Sequence, residues 1–239
     1  MPNCVIGQPA GLGDIIFCQK IADMFIQNGY TVWWPVVEQY YDDVNKYMKK
    51  EGLIYCREQD DFPLKEYYYS SVMSPTRKAD SNDVYLPLQH ADKVYPKESI
   101  LQAKYKLLRV SHSDWSDYFS FTRDREKENS LYEELGLSPE KQYCLVNRWF
   151  GTPPDSQMKK MDITEDYQIV EMRMIGGYSV FDWTKVIEGA TVIYSVDTVI
   201  NYIMEKMKIR ARCELFSRYD PANWNHIDGL FSIAWNYND

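Results

Sequence analysis

The amino-acid sequence predicts an α/β protein of two Rossmann-like lobes that face each other across a cleft. Three observations support this prediction. Apolar strand patterns alternate with helical patterns over residues 3–56, and a second alternating block begins at Gln142. Each block also contains a buried strand that runs through a short loop into a helix with a polar start. Alternation of this kind favours parallel sheets with right-handed crossovers.

The first lobe is predicted over residues 1–130. Its strands are expected at residues 3–7, 30–34, 53–56, 67–69 and 84–86, and its helices at 14–28, 37–50 and 100–110. The Asn28-Gly29 pair is a helix-stop signal. The polar segment 111–130 is expected to include the connection to the second lobe.

The second lobe is predicted over residues 140–239. Its strands are expected at residues 143–147, 167–175, 190–196 and 209–216, and its helices at 179–188 and 197–208. Ser179 and Asp182 fit a capping pattern, and Gly189 is a stop signal. We expect the tail, residues 217–239, to pack back over the body.

Composition narrows the class of protein. The chain has 239 residues, 45% of them hydrophobic, and a net charge of −8. Phosphate groups need clustered cations, so this acidic balance argues against nucleic acid or an anionic membrane as partner. No apolar run approaches the roughly 18 residues of a membrane span. The five cysteines are scattered without CxxC spacing, which indicates reduced thiols and a cytoplasmic protein.

The loop after the first strand is the most informative segment for function. It reads GQPAGLGD over residues 7–14. Gly11 and Gly13 can adopt positive φ and let a ligand approach the backbone, so we predict that both contact an acceptor. Asp14 falls in the first helical turn, where the helix dipole favours a carboxylate. An aspartate held there can accept a proton from a substrate hydroxyl, although a lone glycine turn is a weak motif.

A loop of similar design opens the last helix of the second lobe. Free N–H groups at the helix start, together with the Thr198 hydroxyl, suit a diphosphate. Asp197 is expected to bond to a ribose or to orient the loop. Asp and Thr are also ordinary helix N-caps, so the local pattern leaves both interpretations open.

Three more residues of the second lobe are predicted to bind the donor. Arg148 follows strand 143–147 and Lys159 lies in the loop beyond it, so both can neutralise a departing diphosphate. Gly177, in a Gly-Gly turn, lets the backbone approach a nucleobase or ribose. A solvated loop and a tight turn are the structural alternatives.

The sequence indicates no metal site. The three histidines (His90, His112 and His226) lack a second histidine at metal-ligand spacing, and there is no Asp-x-Asp motif. Serine-hydrolase and P-loop motifs are also missing. Trp115 stands among acidic residues and can lie below an acceptor sugar ring, although such a cluster is also typical of a packed turn. We therefore predict no metal and no cofactor beyond a nucleotide-diphosphate sugar as co-substrate.

Two segments, residues 5–35 and 182–207, resemble the N-terminal and C-terminal elements of the ADP-heptose:lipopolysaccharide heptosyltransferase family. These are glycosyltransferases with the GT-B fold. The family has a Gly-x-Gly-Asp turn after its first strand and an Asp-Ser/Thr pair before a late helix. The resemblance implies that Asp14 is the general base and that Asp197 and Thr198 hold the donor diphosphate. It also places Arg148 in the first loop of the C-terminal domain.

The chain departs from the family pattern after Thr198. Residues 199–201 read Val-Ile-Asn, whereas the family has a glycine there and a histidine soon after. Val199 crowds a phosphate that glycine admits, which favours a non-catalytic glycan- or protein-binding relative. The retained Gly-x-Gly-Asp turn favours an enzyme. A dinucleotide-dependent enzyme is a third alternative, disfavoured because strand 30–34 ends without an acid to hold a ribose.

These observations predict an inverting, metal-independent glycosyltransferase that moves a sugar from a nucleotide-diphosphate sugar to a glycan hydroxyl. Asp14 is expected to act as base, and Thr198 with Arg148 and Lys159 to stabilise the departing diphosphate. Asp14 and Thr198 are expected to face each other across the cleft.

Overall fold

A computed structural model describes residues 1–151 and 155–238. The chain forms two compact units. The first comprises Met1–Thr122 with Asn225–Leu230, and the second comprises Arg123–Trp224 with Phe231–Asp239. The second unit therefore begins inside the polar segment 111–130 that was predicted to include the connection, and a short part of the tail belongs to the first unit.

The first unit contains a sheet with helices between its strands. Its strands are β1 (Asn3–Ile6), β2 (Thr31–Val36), β3 (Leu53–Arg57), β4 (Thr76–Arg77) and β5 (Val84–Leu86). Its helices are α1 (Leu12–Phe17), α2 (Gln19–Gln27), α3 (Glu38–Tyr47), α4 (Lys65–Tyr68), α5 (Ala91–Val94), α6 (Ile100–Leu107) and α7 (Trp115–Tyr118).

The strand order of this sheet is β3-β2-β1-β5-β4. The pairs β1/β2, β2/β3 and β1/β5 are parallel, and β4 runs antiparallel to β5. Strand β1 is central, and Cys4, Val5 and Ile6 are fully buried. Such a continuous apolar run is typical of a parallel strand covered on both faces.

The second unit repeats this plan with its own sheet. Its strands are β6 (Tyr143–Asn147), β7 (Trp149–Phe150), β8 (Gln157–Met158), β9 (Gln168–Glu171), β10 (Val192–Val196), β11 (Arg212–Phe216) and β12 (Trp235–Asn238). Its helices are α8 (Arg125–Glu134), α9 (Thr184–Gly189) and α10 (Val199–Met207).

The main sheet of the second unit has the order β12-β11-β10-β6-β9, and all its pairs are parallel. Strands β7 and β8 form a separate antiparallel hairpin. The predicted capping pattern before α9 is confirmed, because the Ser179 N–H donates to the Asp182 carboxylate at 2.9 Å. A 3-10 turn, Val180–Trp183, separates this cap from α9.

Three elements differ from the sequence-based prediction. The strand predicted at 67–69 is wrong, because helix α4 spans Lys65–Tyr68. In this helix the Tyr68 hydroxyl donates a hydrogen bond to the Glu58 carboxylate at 2.5 Å. Helix α8 lies partly in the predicted polar connection, and it begins where the Asp124 side chain accepts from the Lys127 N–H. The tail supplies strand β12, which pairs with β11.

The Glu205 carboxylate explains how the tail returns to the sheet. It is buried and accepts hydrogen bonds from the backbone N–H groups of Ser232 and Ile233, at 2.9 and 3.1 Å. A side chain on α10 therefore anchors the residues just before strand β12. In the part of the chain that is described, no helix has the length and apolar character needed to cross a bilayer.

All five cysteines are free and buried. Burial raises the pKa of the Cys18 and Cys56 thiols to about 12, so both stay protonated at pH 8. Because the thiolate is the reactive form, we expect an aromatic disulfide reagent to label the folded protein slowly. In denaturant it should label five thiols quickly. Fast labelling of any thiol under native conditions would contradict this packing.

Candidate functional site

The first candidate site lies where the strand order of the first sheet reverses. From β1 the chain moves outward through β2 and β3, and it then crosses back to place β5 on the other side of β1. Ligands of open parallel sheets bind outside the carboxyl ends of the strands at such a switch point. The loop that follows β1 here is the Gly-x-Gly-Asp segment singled out by the sequence.

The loops that follow β1 and β5 are tied to each other. The Gly7 N–H donates to the Leu86 carbonyl, and the Gln89 N–H donates to the Gly7 carbonyl, both at 2.8 Å. A Cβ at Gly7 would lie 2.6 Å from the Tyr85 hydroxyl, so only glycine allows this approach. The side-chain carbonyl oxygens of Gln8 and Gln89 are buried without a hydrogen-bond partner among the described residues. They are acceptors that a hydroxyl group or water can satisfy.

Asp14 lies in the first turn of α1, directly beyond this loop, and its side chain is 28% exposed. Its Oδ1 atom accepts a hydrogen bond from Nζ of Lys104, with which it forms an ion pair. The Lys104 side chain reaches it from α6 and is only 1% exposed. Asp14 is therefore a held carboxylate that still reaches solvent. The sequence analysis missed Lys104.

Gly11 makes room for the other carboxylate oxygen of Asp14. It caps α1 with φ of +77°, a conformation that favours glycine. A Cβ at this position would lie 2.5 Å from Asp14 Oδ2. The role of Gly11 in this structure is thus to accommodate the aspartate. Gly13 lies inside α1 and is half-buried.

Trp115 does not have the surroundings predicted for it. Its side chain is 1% exposed, its ring packs against Phe17 at 5.5 Å between centroids, and its Nε1–H donates to the Leu230 carbonyl at 2.8 Å. A ring without an exposed face cannot stack on a sugar. Trp115 is therefore a core residue in this structure, because packing against Phe17 outweighs the polarity of its sequence neighbours.

The second candidate site lies at the switch point of the other sheet. Its strands follow the flavodoxin-like order, with β6 between β9 and β10, so the reversal falls between β6 and β10. The carboxyl ends of these two strands carry Asn147, Arg148, Asp197 and Thr198. The parallel register, which pairs Asn147 with Ser195, brings the two ends side by side.

A hydrogen-bonded network holds the start of α10. Asn147 Nδ2 donates to the hydroxyls of Ser195 and Thr198, at 3.0 and 2.8 Å. The Thr198 N–H donates to Oδ1 of Asn201 at 3.2 Å, so this amide is already used by the helix cap. The Asn201 N–H donates to the Thr198 carbonyl at 3.1 Å, which leaves the amides of Val199 and Ile200 as the first-turn donors without an intrahelical acceptor. Asn147 and Asn201 were not identified from the sequence.

Two of the three charged residues predicted at this site, Arg148 and Asp197, are in ion pairs within the second unit. Arg148 binds Glu171 with two hydrogen bonds, of 3.0 and 2.6 Å. Asp197 is 1% exposed and accepts from Arg218 at 2.7 Å, while the Arg218 side chain is 34% exposed. The carboxylate of this second pair is the buried member and the guanidinium is the exposed one. Sequence reasoning missed Arg218, which follows β11.

Lys159 and Gly177 lie on loops of the second unit. The Lys159 N–H donates to the Arg148 carbonyl at 2.9 Å, which places the two residues side by side on the β7–β8 hairpin. Gly177 has φ of +89° with open space where a side chain would stand, and its carbonyl accepts from Lys127. Its geometry therefore fits a tight turn. Within residues 1–151 and 155–238, no cluster of His, Cys, Asp and Glu could hold a metal ion.

Comparison with known proteins finds similarity in structure but not in sequence. No protein-family model matches the chain, and no curated protein matches it. The chain is similar to a glycosyl transferase family 9 structure from Veillonella parvula, with a TM-score of 0.57 and 9% identity. That match covers 99% of this chain and 86% of the other.

Two further solved structures match less well. One is the iron-containing dodecameric glycosyltransferase TibC from enterotoxigenic E. coli, with a TM-score of 0.47, 10% identity, and coverage of 90% of this chain and 57% of TibC. The other is the E. coli heptosyltransferase WaaC with ADP, with a TM-score of 0.46, 10% identity, and coverage of 99% and 92%. The chain therefore shares its α/β fold with a family 9 glycosyl transferase, which confirms the predicted resemblance at the level of the fold.

The contact between Gly11 and Asp14 can be tested by substitution. Gly11→Ala should strain the backbone and push the added Cβ against Asp14 Oδ2, whereas Gly29→Ala, at φ of +82°, meets nothing within 4 Å. We expect Gly11→Ala to lower the free energy of unfolding by about 1–3 kcal/mol more than Gly29→Ala, because overpacking adds to the strain. Urea denaturation measures both, and equal losses would contradict the contact.

Proposed function

We propose that this protein is a glycosyltransferase that moves a sugar from a nucleotide-diphosphate sugar to a glycan hydroxyl, with inversion and without a metal ion. The observation that carries the proposal is the Asp14 carboxylate at the switch point of the first sheet, with one oxygen bonded to Lys104. The fold shared with a family 9 glycosyl transferase supports the reaction class.

The proposed reaction is a single displacement. Asp14 Oδ2 takes the proton of the acceptor hydroxyl, whose oxygen forms a bond to the anomeric carbon of the donor sugar. The bond between that carbon and the diphosphate oxygen breaks, and its electron pair leaves with the diphosphate. Attack from the face opposite the leaving group inverts the anomeric centre. General base catalysis of this kind contributes about 10²–10⁴-fold.

We assign the donor diphosphate to the switch point of the second sheet. The first-turn amides of α10 and the Thr198 hydroxyl supply hydrogen bonds at a helix N-terminus. Arg218 supplies positive charge, because its buried partner Asp197 leaves the guanidinium as the exposed member of the pair. Lys159 is the further cation of this proposal, whereas Arg148 contributes less because it is the more buried member of its pair and Glu171 is the exposed one. Asp197 therefore orders the loop and does not contact a ribose.

The pairing of Arg148 supports a second candidate function, a non-catalytic glycan- or protein-binding protein. A bidentate ion pair with Glu171 removes one of the cations that a leaving diphosphate needs. Val199, in place of the glycine of the heptosyltransferases, also favours the binding protein. Binding of a nucleotide separates the two candidates.

The donor site is tested by the thermal stability of the protein with ADP, UDP, GDP, CDP and their sugar derivatives. A ligand at 100 times its Kd stabilises the folded state by about 2.7 kcal/mol, so Tm should rise for at least one of them. Thr198→Val should weaken that ligand about tenfold, the effect of losing roughly one hydrogen bond. Thr191→Val, at the opposite end of β10, should not. No shift with any nucleotide would favour the binding protein.

The proposed base is tested with the paired variant Asp14→Asn/Lys104→Met. Asp14→Asn alone leaves a buried ammonium without its carboxylate and should destabilise the protein by about 3–5 kcal/mol. Adding Lys104→Met removes that charge and should restore Tm. We expect the pair to release nucleoside diphosphate about 10²–10⁴-fold more slowly than the natural protein, with unchanged nucleotide binding. Full activity of the paired variant would eliminate Asp14 as the base.

A further inference from the structure

Lys104 is a deeply buried cation with one hydrogen-bond partner among the described residues. Its side chain is 1% exposed, and a lysine ammonium carries three hydrogen-bond donors. Asp14 Oδ1 is the acceptor that the described residues offer to it. Lys20, another buried lysine of the same unit, differs because it pairs with Asp114 and also donates to the Ser111 carbonyl at 2.9 Å.

Folding stability does not explain this arrangement. Removing an ammonium from water costs more than one ion pair returns, unless further hydrogen bonds satisfy its remaining donors. Among the described residues Lys104 has one acceptor, and Leu101, one turn earlier on the same face of α6, is also buried. An apolar side chain of similar length would fill the same space at no electrostatic cost.

The pair distinguishes the two oxygens of Asp14. Lys104 engages Oδ1, while Oδ2 lies beside Gly11, where a side chain would displace it. A carboxylate held at one oxygen cannot rotate freely, so its second oxygen keeps a constant direction. Asp14 also keeps 28% of its side chain exposed, so the carboxylate is accessible to a ligand hydroxyl.

We propose that Lys104 is a positioning residue for glycosyl transfer: it holds Asp14 so that Oδ2 meets the acceptor hydroxyl in line with the anomeric carbon. This inference rests on the proposed function, in which Asp14 is the base. Lys104 forms and breaks no bond in the reaction. Its contribution is orientation, and a displacement of about 1 Å at a reacting group can cost 10²-fold in rate.

Lys104→Met is the decisive variant, because it keeps the length of the side chain and removes the charge. We expect kcat to fall about 10–100-fold, while KM for the sugar nucleotide changes less than about twofold and Tm does not decrease. Lys104→Gln, whose amide still donates to Oδ1, should recover part of kcat. Lys20→Met is the matched control, a buried lysine paired with an aspartate elsewhere in the unit, and should keep kcat.

The assay measures release of nucleoside diphosphate from the sugar nucleotide that raises Tm most, with a panel of mono- and oligosaccharides as acceptors. Lys104→Met should slow the natural protein but should not slow Asp14→Asn further, because Lys104 acts through Asp14. A stable Lys104→Met protein with unchanged kcat overturns this inference alone. Equal losses of Tm and kcat in Lys104→Met and Lys20→Met also overturn it. A natural protein that releases no nucleotide from any donor overturns the proposed function and this inference together.

Discussion

Parallel strand pairing is the constraint on which the rest of this structure depends. In a parallel sheet every strand ends at the same edge, and the chain must return through a crossover before the next strand begins. The loops that follow β1, β5, β6 and β10 therefore lie at the carboxyl edges of their sheets. Central strands of this kind are buried on both faces, so their side chains serve the core. Polar chemistry is left to the loops at the edge.

Ion pairs decide which charge each switch point presents. In the pair of Asp14 with Lys104 the lysine is buried and the carboxylate is the exposed member. In the pair of Asp197 with Arg218 the carboxylate is buried and the guanidinium is the exposed member. The first arrangement offers a proton acceptor and the second offers a positive charge. Burial of one partner holds the other in place, so each site presents a charge of fixed position.

The sequence predicted the main strands well, because their signal is local. The runs at residues 143–147 and 192–196 are apolar except for Asn147 and Ser195, and both are buried throughout, as is typical of parallel strands covered on both faces. The prediction failed where local preference and packing disagree. The tyrosines at residues 67–69 favour a strand by composition. The chain forms a helical turn there instead, in which the Tyr68 hydroxyl donates to the Glu58 carboxylate. The residues just before strand β12 are hydrogen-bonded to Glu205, about thirty residues earlier in the chain, and no local pattern predicts that contact.

The candidate site was predictable only in its backbone part. Asp14 and Thr198 lie at helix starts that follow apolar strands. In each case the strand and the helix start are only a few residues apart, so a local pattern identifies them. The sequence gives one indication of Lys104, namely that it lies one turn after the apolar Leu101 on the same face of α6. This position predicts that the lysine is buried, but it does not predict that its partner is Asp14, ninety residues earlier in the chain.

By itself, the sequence determined the α/β class, the loops at residues 11–14 and 197–198, and the net negative charge of the chain. These properties depend on short-range periodicity and on composition. Only the tertiary structure decided that Trp115 belongs to the core, that Glu171 neutralises Arg148, and that Lys104 holds Asp14. Each of these is a contact between residues distant in the chain. No local pattern encodes it, because such a contact exists only after the sheet has brought the two segments together.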